Sequence, residues 1–219
     1  VVNLFLIIFI QNLLKLSVIE DPVSVIFNAS LYLGIASLFF SPLVYLLLLI
    51  WITIIINRQT YLRNFLVSLV GVTLPYLFVF AWFYLQDTAV ENWNHMILTL
   101  TNTEFLLKFN TLDVYEIILL SLLLLISSVA FLVTISKLSE KGNFVRKNII
   151  IGIYFMLLML IIVIMFLDSE TNLLLLGLPS TIIIATTVYS IGKSRLLNIS
   201  FSLLLICMVF YHYYQIFDV

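Results

Sequence analysis

Asp87, Glu91 and His95 follow one another every four residues, a spacing that on a helix sets two carboxylates and an imidazole on one face. Such a trio can exchange protons or hold a metal ion. The same spacing also makes the solvated face of an amphipathic helix lying on a membrane surface, and amphipathicity demands such a face in any case. Its apolar counterpart is present, since Trp93, Met96, Ile97 and Leu100 recur at helical spacing within the same stretch. Trp93 reads as an interfacial anchor or, in the functional alternative, a substrate contact. Ser41 beside Pro42 is a second candidate, as nucleophile or substrate contact, but no His or Asp partner stands near it in the sequence.

Other polar groups have structural explanations of the same weight. Thr181, Thr186, Thr187, Ser180 and Ser190 follow or flank Pro179 in an apolar run, where hydroxyls bond back to their own helix or across to a neighbour. A polar substrate groove is the functional alternative there. His212 sits among Phe210, Tyr211, Tyr213 and Tyr214, an aromatic run suited to the membrane interface. Ionisable residues deep in a membrane mark ion paths, and the apolar runs hold almost none. Glu116 enters its run by only a few residues, and Lys15 can extend its ammonium to the interface. An ion-driven pump is therefore disfavoured. The single cysteine, Cys207, allows no intrachain disulfide, and no Cys/His spacing suits a metal. No cofactor and no metal are expected.

The elements that must position these groups are helices in a membrane. Hydrophobic residues make up 63% of the 219-residue chain and charged residues 10%, against roughly 25% charged in soluble domains. So little charge cannot cover a water-facing surface. A net charge of −1 offers nothing to a nucleic acid. The apolar runs are continuous, as in Ile149 to Leu167, without the polar alternation of a transmembrane barrel. Helices are then required, because lipid has no partner for an unpaired backbone N–H. The fold class is all-α, a polytopic helical integral membrane protein with about seven or eight embedded helices in one transmembrane domain covering residues 1–219.

Apolar runs bounded by charge place the spans near 1–16, 25–40, 42–57, 65–85, 114–136, 149–167, 173–191 and 196–217. The second and third, parted by Ser41-Pro42, would together measure about 50 Å as one helix. They are read as a helix, a break and a second helix, with Pro42 in the first turn of the latter. Whether they form two full spans or a re-entrant pair stays open. Arg58, Arg63, Lys137, Lys141, Arg146, Lys147, Lys193 and Arg195, with Lys15, fall on one side of this layout, and Lys108 alone on the other. Basic loops stay cytoplasmic, so the C-terminus is expected outside. Residues 86–112 form the one long connection, extracytoplasmic and carrying the interfacial helix. The opening Val1-Val2, inside an apolar run and without Met, points to an N-terminally incomplete chain. No internal repeat is visible, and Pro75 and Pro179 lack the matched flanks of a transporter's inverted halves.

The stretch Ile26 to Leu85 carries GIASLF at its first helix, a short break at Ser41-Pro42, an apolar helix and the basic loop around Arg58 and Arg63. In that order it resembles an uncharacterised family of multi-pass inner-membrane proteins of Bacteroidota. The resemblance implies a location in the bacterial inner membrane and no activity. Gly34, Ala36 and Ser41-Pro42 are also similar in outline to the midsection of GT-C glycosyltransferases, which use lipid-linked sugar donors. Ser41 stands where those enzymes carry a basic residue for the donor phosphate, and the catalytic carboxylate that likeness implies would lie upstream of Val1.

The sequence thus favours a subunit or accessory component of a membrane assembly, with membrane lipids and other integral membrane proteins as partners. A GT-C-like enzyme or lipid-linked glycan handler is the alternative, and a transporter or channel the third class.

Overall fold

Pro22, with no N–H to lose, opens a helix in its first turn, and the chain then stays helical to Phe39. In the computed structural model the residues described are 1–18, 22–88, 114–136, 142–166, 175–182, 185 and 202, with side chains before Ser127 in the third of these segments given only for Ser121 and Leu125. Every regular element among them is helical. They are α1 (Val2–Lys15), α2 (Pro22–Phe39), a 3-10 segment (Ser41–Leu46), α3 (Leu47–Ile56), α4 (Leu62–Leu85), α5 (Val114–Ser136) and α6 (Asn143–Met165). Three of them, α2, α4 and α6, are long and apolar enough to cross a membrane, and Val2–Lys15, Ser41–Ile56 and Ser127–Ser136 are shorter apolar stretches.

Side-chain pairings fix the directions. Ser30 meets Gly71, Gly34 meets Val72 and Pro75, and Tyr76 bonds Ser37, so α2 and α4 run parallel in nearly level register. The intervening arm, Ser41 to Ile56, must run back alongside them. It does so by Trp51, which bonds Ser68 at 3.1 Å and packs edge-on against Phe65. On α1, Phe5 stacks with Phe39, which makes α1 antiparallel to α2. Phe9 meets Phe155, Ser17 meets Asn148 at 3.0 Å, and Tyr45 stacks with Phe166. These three contacts lay α6 parallel to α2.

One end of the bundle therefore gathers Lys15, Arg58, Arg63, Arg146 and Lys147, while Asp87 stands beyond the far end of α4. Helix α2 is the centre, packed on α1 at one side and most extensively on α4 at the other. The core is built from Leu6, Phe9, Leu13, Ile26, Leu33, Leu43, Ile50 and Phe155, all 1% exposed or less.

Several boundaries differ from those the apolar runs suggest. Helix α2 begins at Pro22 rather than 25, α4 at Leu62 rather than 65, and α6 at Asn143 rather than 149. In each case a polar side chain, Ser24, Arg63 or Arg146, is exposed in the first turn, where a hydropathy reading sees a loop. After the break at Ser41-Pro42 the chain takes a 3-10 course with Pro at its start, not an immediate α-helix. At about 2.0 Å per residue in the 3-10 part and 1.5 Å in the rest, Ser41 to Ile56 covers roughly 27 Å. That matches the ~27 Å length of α2, so the second and third arms reach the same depth.

Candidate functional site

The interior polar groups form a seam along α2 and its neighbours. Ser30, Ser37, Thr53 and Ser68 are fully buried. A hydroxyl in an apolar interior needs at least one hydrogen-bond partner. Ser37 Oγ donates to the Gly34 carbonyl at 2.8 Å and accepts from the Tyr76 hydroxyl at 2.8 Å. Ser68 Oγ donates to the Phe65 carbonyl at 2.7 Å and accepts from Trp51 Nε1 at 3.1 Å. Ser30 and Thr53 donate to the carbonyls of Phe27 and Leu49. The Tyr76 bond joins α2 to α4 and the Trp51 bond joins α3 to α4, while Ser30 and Thr53 spend their donors within their own helices.

Two glycines let the seam close. A Cβ built on Gly34 would lie 2.7 Å from the Val72 carbonyl oxygen and 3.0 Å from Pro75 Cγ. One built on Gly71 would collide with the Ser30 side chain and lie 3.0 Å from the Phe27 carbonyl oxygen. Each helix thus offers a glycine to the other's backbone, the small-residue contact through which membrane helices approach closely. Pro75 is buried on this seam, and its missing N–H cannot bond the Gly71 carbonyl one turn earlier.

At the basic end, α3 stops in a Schellman motif. Arg58 holds φ 60°, its N–H bonds Ile55 O and the Gln59 N–H bonds Ile54 O, both at 3.0 Å. Asn57 Nδ2 donates to Thr53 O at 3.0 Å, and Asn64 Nδ2 donates to Gln59 O at 2.7 Å. The side-chain carbonyls Asn57 Oδ1, Gln59 Oε1 and Asn64 Oδ1 are buried with no donor. Sequence patterning does not mark this turn as a site, because its arginines speak to orientation alone. The density of amides in Asn57-Arg58-Gln59 and Arg63-Asn64 was the available signal.

Of the residues singled out from sequence, Asp87 is exposed and plays the Arg58 part at the end of α4. Its φ is 58°, its N–H bonds Tyr84 O at 3.2 Å and the Thr88 N–H bonds Phe83 O at 3.1 Å. Asp87 itself is thus left-handed, just past the C-terminus of α4. Glu91, His95 and Trp93 lie outside the described residues, as do Cys207 and His212. Ser41 is half-buried at the head of the 3-10 segment, next to buried Pro42. Ser180 and Thr181 bond back to Gly177 O and Leu178 O at 2.8 and 2.7 Å, the packing mode of hydroxyls in apolar helices. Among the described residues no three His, Cys, Asp or Glu side chains come together.

A left-handed conformation costs an L-residue about 1–2 kcal/mol, of which glycine's greater freedom in the unfolded chain returns about 0.5–1 kcal/mol. Asp87→Gly is therefore expected to raise stability by about 0.5–1 kcal/mol and Asp87→Ala to leave it unchanged or lower it, as read from denaturation in mixed micelles. A loss on Asp87→Gly would show that the carboxylate itself holds the α4 terminus.

A family model described as a family of unknown function (DUF6427) matches residues 1–219. No curated protein and no solved structure matches the chain.

Proposed function

We propose that this chain, which belongs to that family of unknown function over its whole length, is a multi-pass protein of the bacterial inner membrane, of the Bacteroidota type, with seven or eight embedded helices. In this reading it works as a subunit or accessory component of a membrane assembly, by helix packing rather than by its own chemistry. One observation carries it. The buried polar side chains among the described residues are Ser, Thr and Asn, none ionisable, and the hydroxyls of the α2 seam are spent on their own and neighbouring helices. Catalysis or ion transfer wants titratable groups held where they can react.

The surface left over for a partner is on α4. Leu66, Leu69, Val70, Leu77 and Phe78 are exposed, the last two by 65% and 70%, and from about Phe80 onward α4 runs past the end of α2. Lipid can cover such a face, and so can another helix. The proposal assigns part of it to an integral membrane partner, with lipid on the rest.

Extraction of the tagged chain from native membranes in mild detergent is expected to retain a stoichiometric integral membrane protein, and Leu77→Ala with Phe78→Ala to release it while the chain's own denaturation midpoint stays put. A chain that elutes alone, or a partner unaffected by the double substitution, would remove the assembly reading. In a Cys207→Ser background the proposed orientation is checked in intact cells by an impermeant thiol reagent. Arg58→Cys should be protected and Asp87→Cys labelled; the reverse pattern inverts the topology.

A further inference from the structure

The eight residues from Asn57 to Asn64 carry three buried side-chain carbonyl oxygens with no donor, on Asn57, Gln59 and Asn64. Two of these oxygens are fixed as acceptors by what the other end of each amide does. Asn57 Nδ2 is engaged with Thr53 O and Asn64 Nδ2 with Gln59 O at 2.7 Å, which also brings the Asn64 amide against the Gln59 backbone. Asn64 is 0% exposed, so bulk water does not solvate it. A buried acceptor left unpaired is costly, and three in one turn ask for a ligand rich in N–H donors and poor in acceptors. A primary ammonium, with three donors and no acceptor, has that inventory.

The surroundings narrow the ligand further. Arg58 and Arg63 lie in the same turn and are exposed, and no carboxylate occurs between Asn57 and Asn64. A bare metal ion would meet two guanidinium groups with no anionic ligand. A zwitterion joining an ammonium to a phosphate would satisfy both sets, because arginine binds phosphate through paired N–H donors. Tyr61 and Leu62, exposed by 72% and 76%, adjoin the arginines at the start of a membrane-length helix, at the depth where phospholipid headgroups lie. Arg58 is held there at φ 60°, a backbone angle that glycine would take at less cost.

We propose that the turn between α3 and α4 is a binding site for a phospholipid with a primary ammonium headgroup, the phosphatidylethanolamine class, its phosphate on Arg58 and Arg63 and its ammonium, which the half-buried Asn57 and Gln59 side chains turn aside to admit, on the amide oxygens of Asn57, Gln59 and Asn64. The full chain, purified and exchanged into nanodiscs of phosphatidylcholine doped with phosphatidylethanolamine or phosphatidylglycerol, is released into detergent and its retained lipid measured by native mass spectrometry. Phosphatidylethanolamine is expected to be retained at least tenfold over either of the others at equal dose. Gln59→Met, which keeps side-chain length and leaves the backbone carbonyl that holds Asn64, should erase that preference, as should Asn57→Ser. Arg58→Gln with Arg63→Gln should weaken retention of all three lipids. Equal retention of the ethanolamine and choline lipids, or a preference that survives both amide substitutions, overturns the site. Full displacement by millimolar phosphoethanolamine would show a soluble ligand to be sufficient and would overturn the lipid assignment.

Discussion

Replacing Gly34 by alanine is expected to destabilise the bundle by about 3 kcal/mol, at the upper end of the usual cost of overpacking. A glycine in the middle of a helix ordinarily gains about 1 kcal/mol on becoming alanine, so the sign alone is diagnostic. The new methyl group would lie 2.7 Å from the Val72 carbonyl oxygen and 3.1 Å from its Cα. Both are backbone atoms that cannot turn aside, and α2 and α4 would have to part. At Gly71 the nearest obstacle is instead the Ser30 side chain, which can be removed. Gly71→Ala should therefore cost about 1–2 kcal/mol alone and recover part of that in a Ser30→Gly background, the Phe27 carbonyl oxygen at 3.0 Å remaining, whereas Gly34→Ala should not be rescued by that change. A double-mutant cycle in mixed micelles reads the difference. Gain of stability on Gly34→Ala would mean that α2 and α4 do not meet along this line.

How much of this was open to sequence reasoning follows from the range of each interaction. Helical class and the placement of membrane-length runs depend on local composition, and the break at Ser41-Pro42 was readable because proline acts on its own backbone. The ends were blurred wherever polar residues occupy a first turn, as Arg63-Asn64 and Arg146-Lys147 do. The glycine seam was half visible. Ser30, Gly34 and Ser37 on α2, and Ser68, Gly71 and Pro75 on α4, carry the spacing of small residues that line membrane helix contacts. Which small face meets which is a long-range fact with no signature in either segment. Lipid makes this worse, since both faces of a membrane helix are apolar and periodicity no longer marks the inside.

The basic end shows the same limit from another side. Reading Arg58 and Arg63 for their charge leads to an expected orientation, and the pairings of α1, α2, α4 and α6 gather Lys15, Arg58, Arg63, Arg146 and Lys147 at one end of the bundle. What charge counting passes over is that Asn57, Gln59 and Asn64 are turned inward among those cations. Burial of an amide depends on how the turn closes, here through the Arg58 and Gln59 N–H bonds to the last turn of α3. Asp87 is the converse case. Its place at the end of α4 is decided by the Schellman closure on Phe83 and Tyr84, which the spacing of carboxylates does not announce.

Phe155→Ala is expected to cost about 3 kcal/mol, the low end of the range for truncating a buried aromatic. The low end applies because lipid tails are as apolar as the helix interior, so transfer out of water contributes little to the contact between α1 and α6. What remains is dispersion lost to an unfilled space. Phe155 and Phe9 are both 0% exposed, with ring centroids 6.5 Å apart at 63°, an edge-to-face pair worth about 0.5–1.5 kcal/mol beyond its area. The cycle with Phe9→Ala should accordingly show a coupling of about 1 kcal/mol. Tyr154, one residue away and 40% exposed, supplies the control, since its truncation leaves lipid to fill the gap and should cost well under 1 kcal/mol. Denaturation midpoints in mixed micelles compare the three. Equal losses at Tyr154 and Phe155, or zero coupling between Phe155 and Phe9, would place α6 elsewhere than against α1 and dissolve the argument that sets its direction in the bundle.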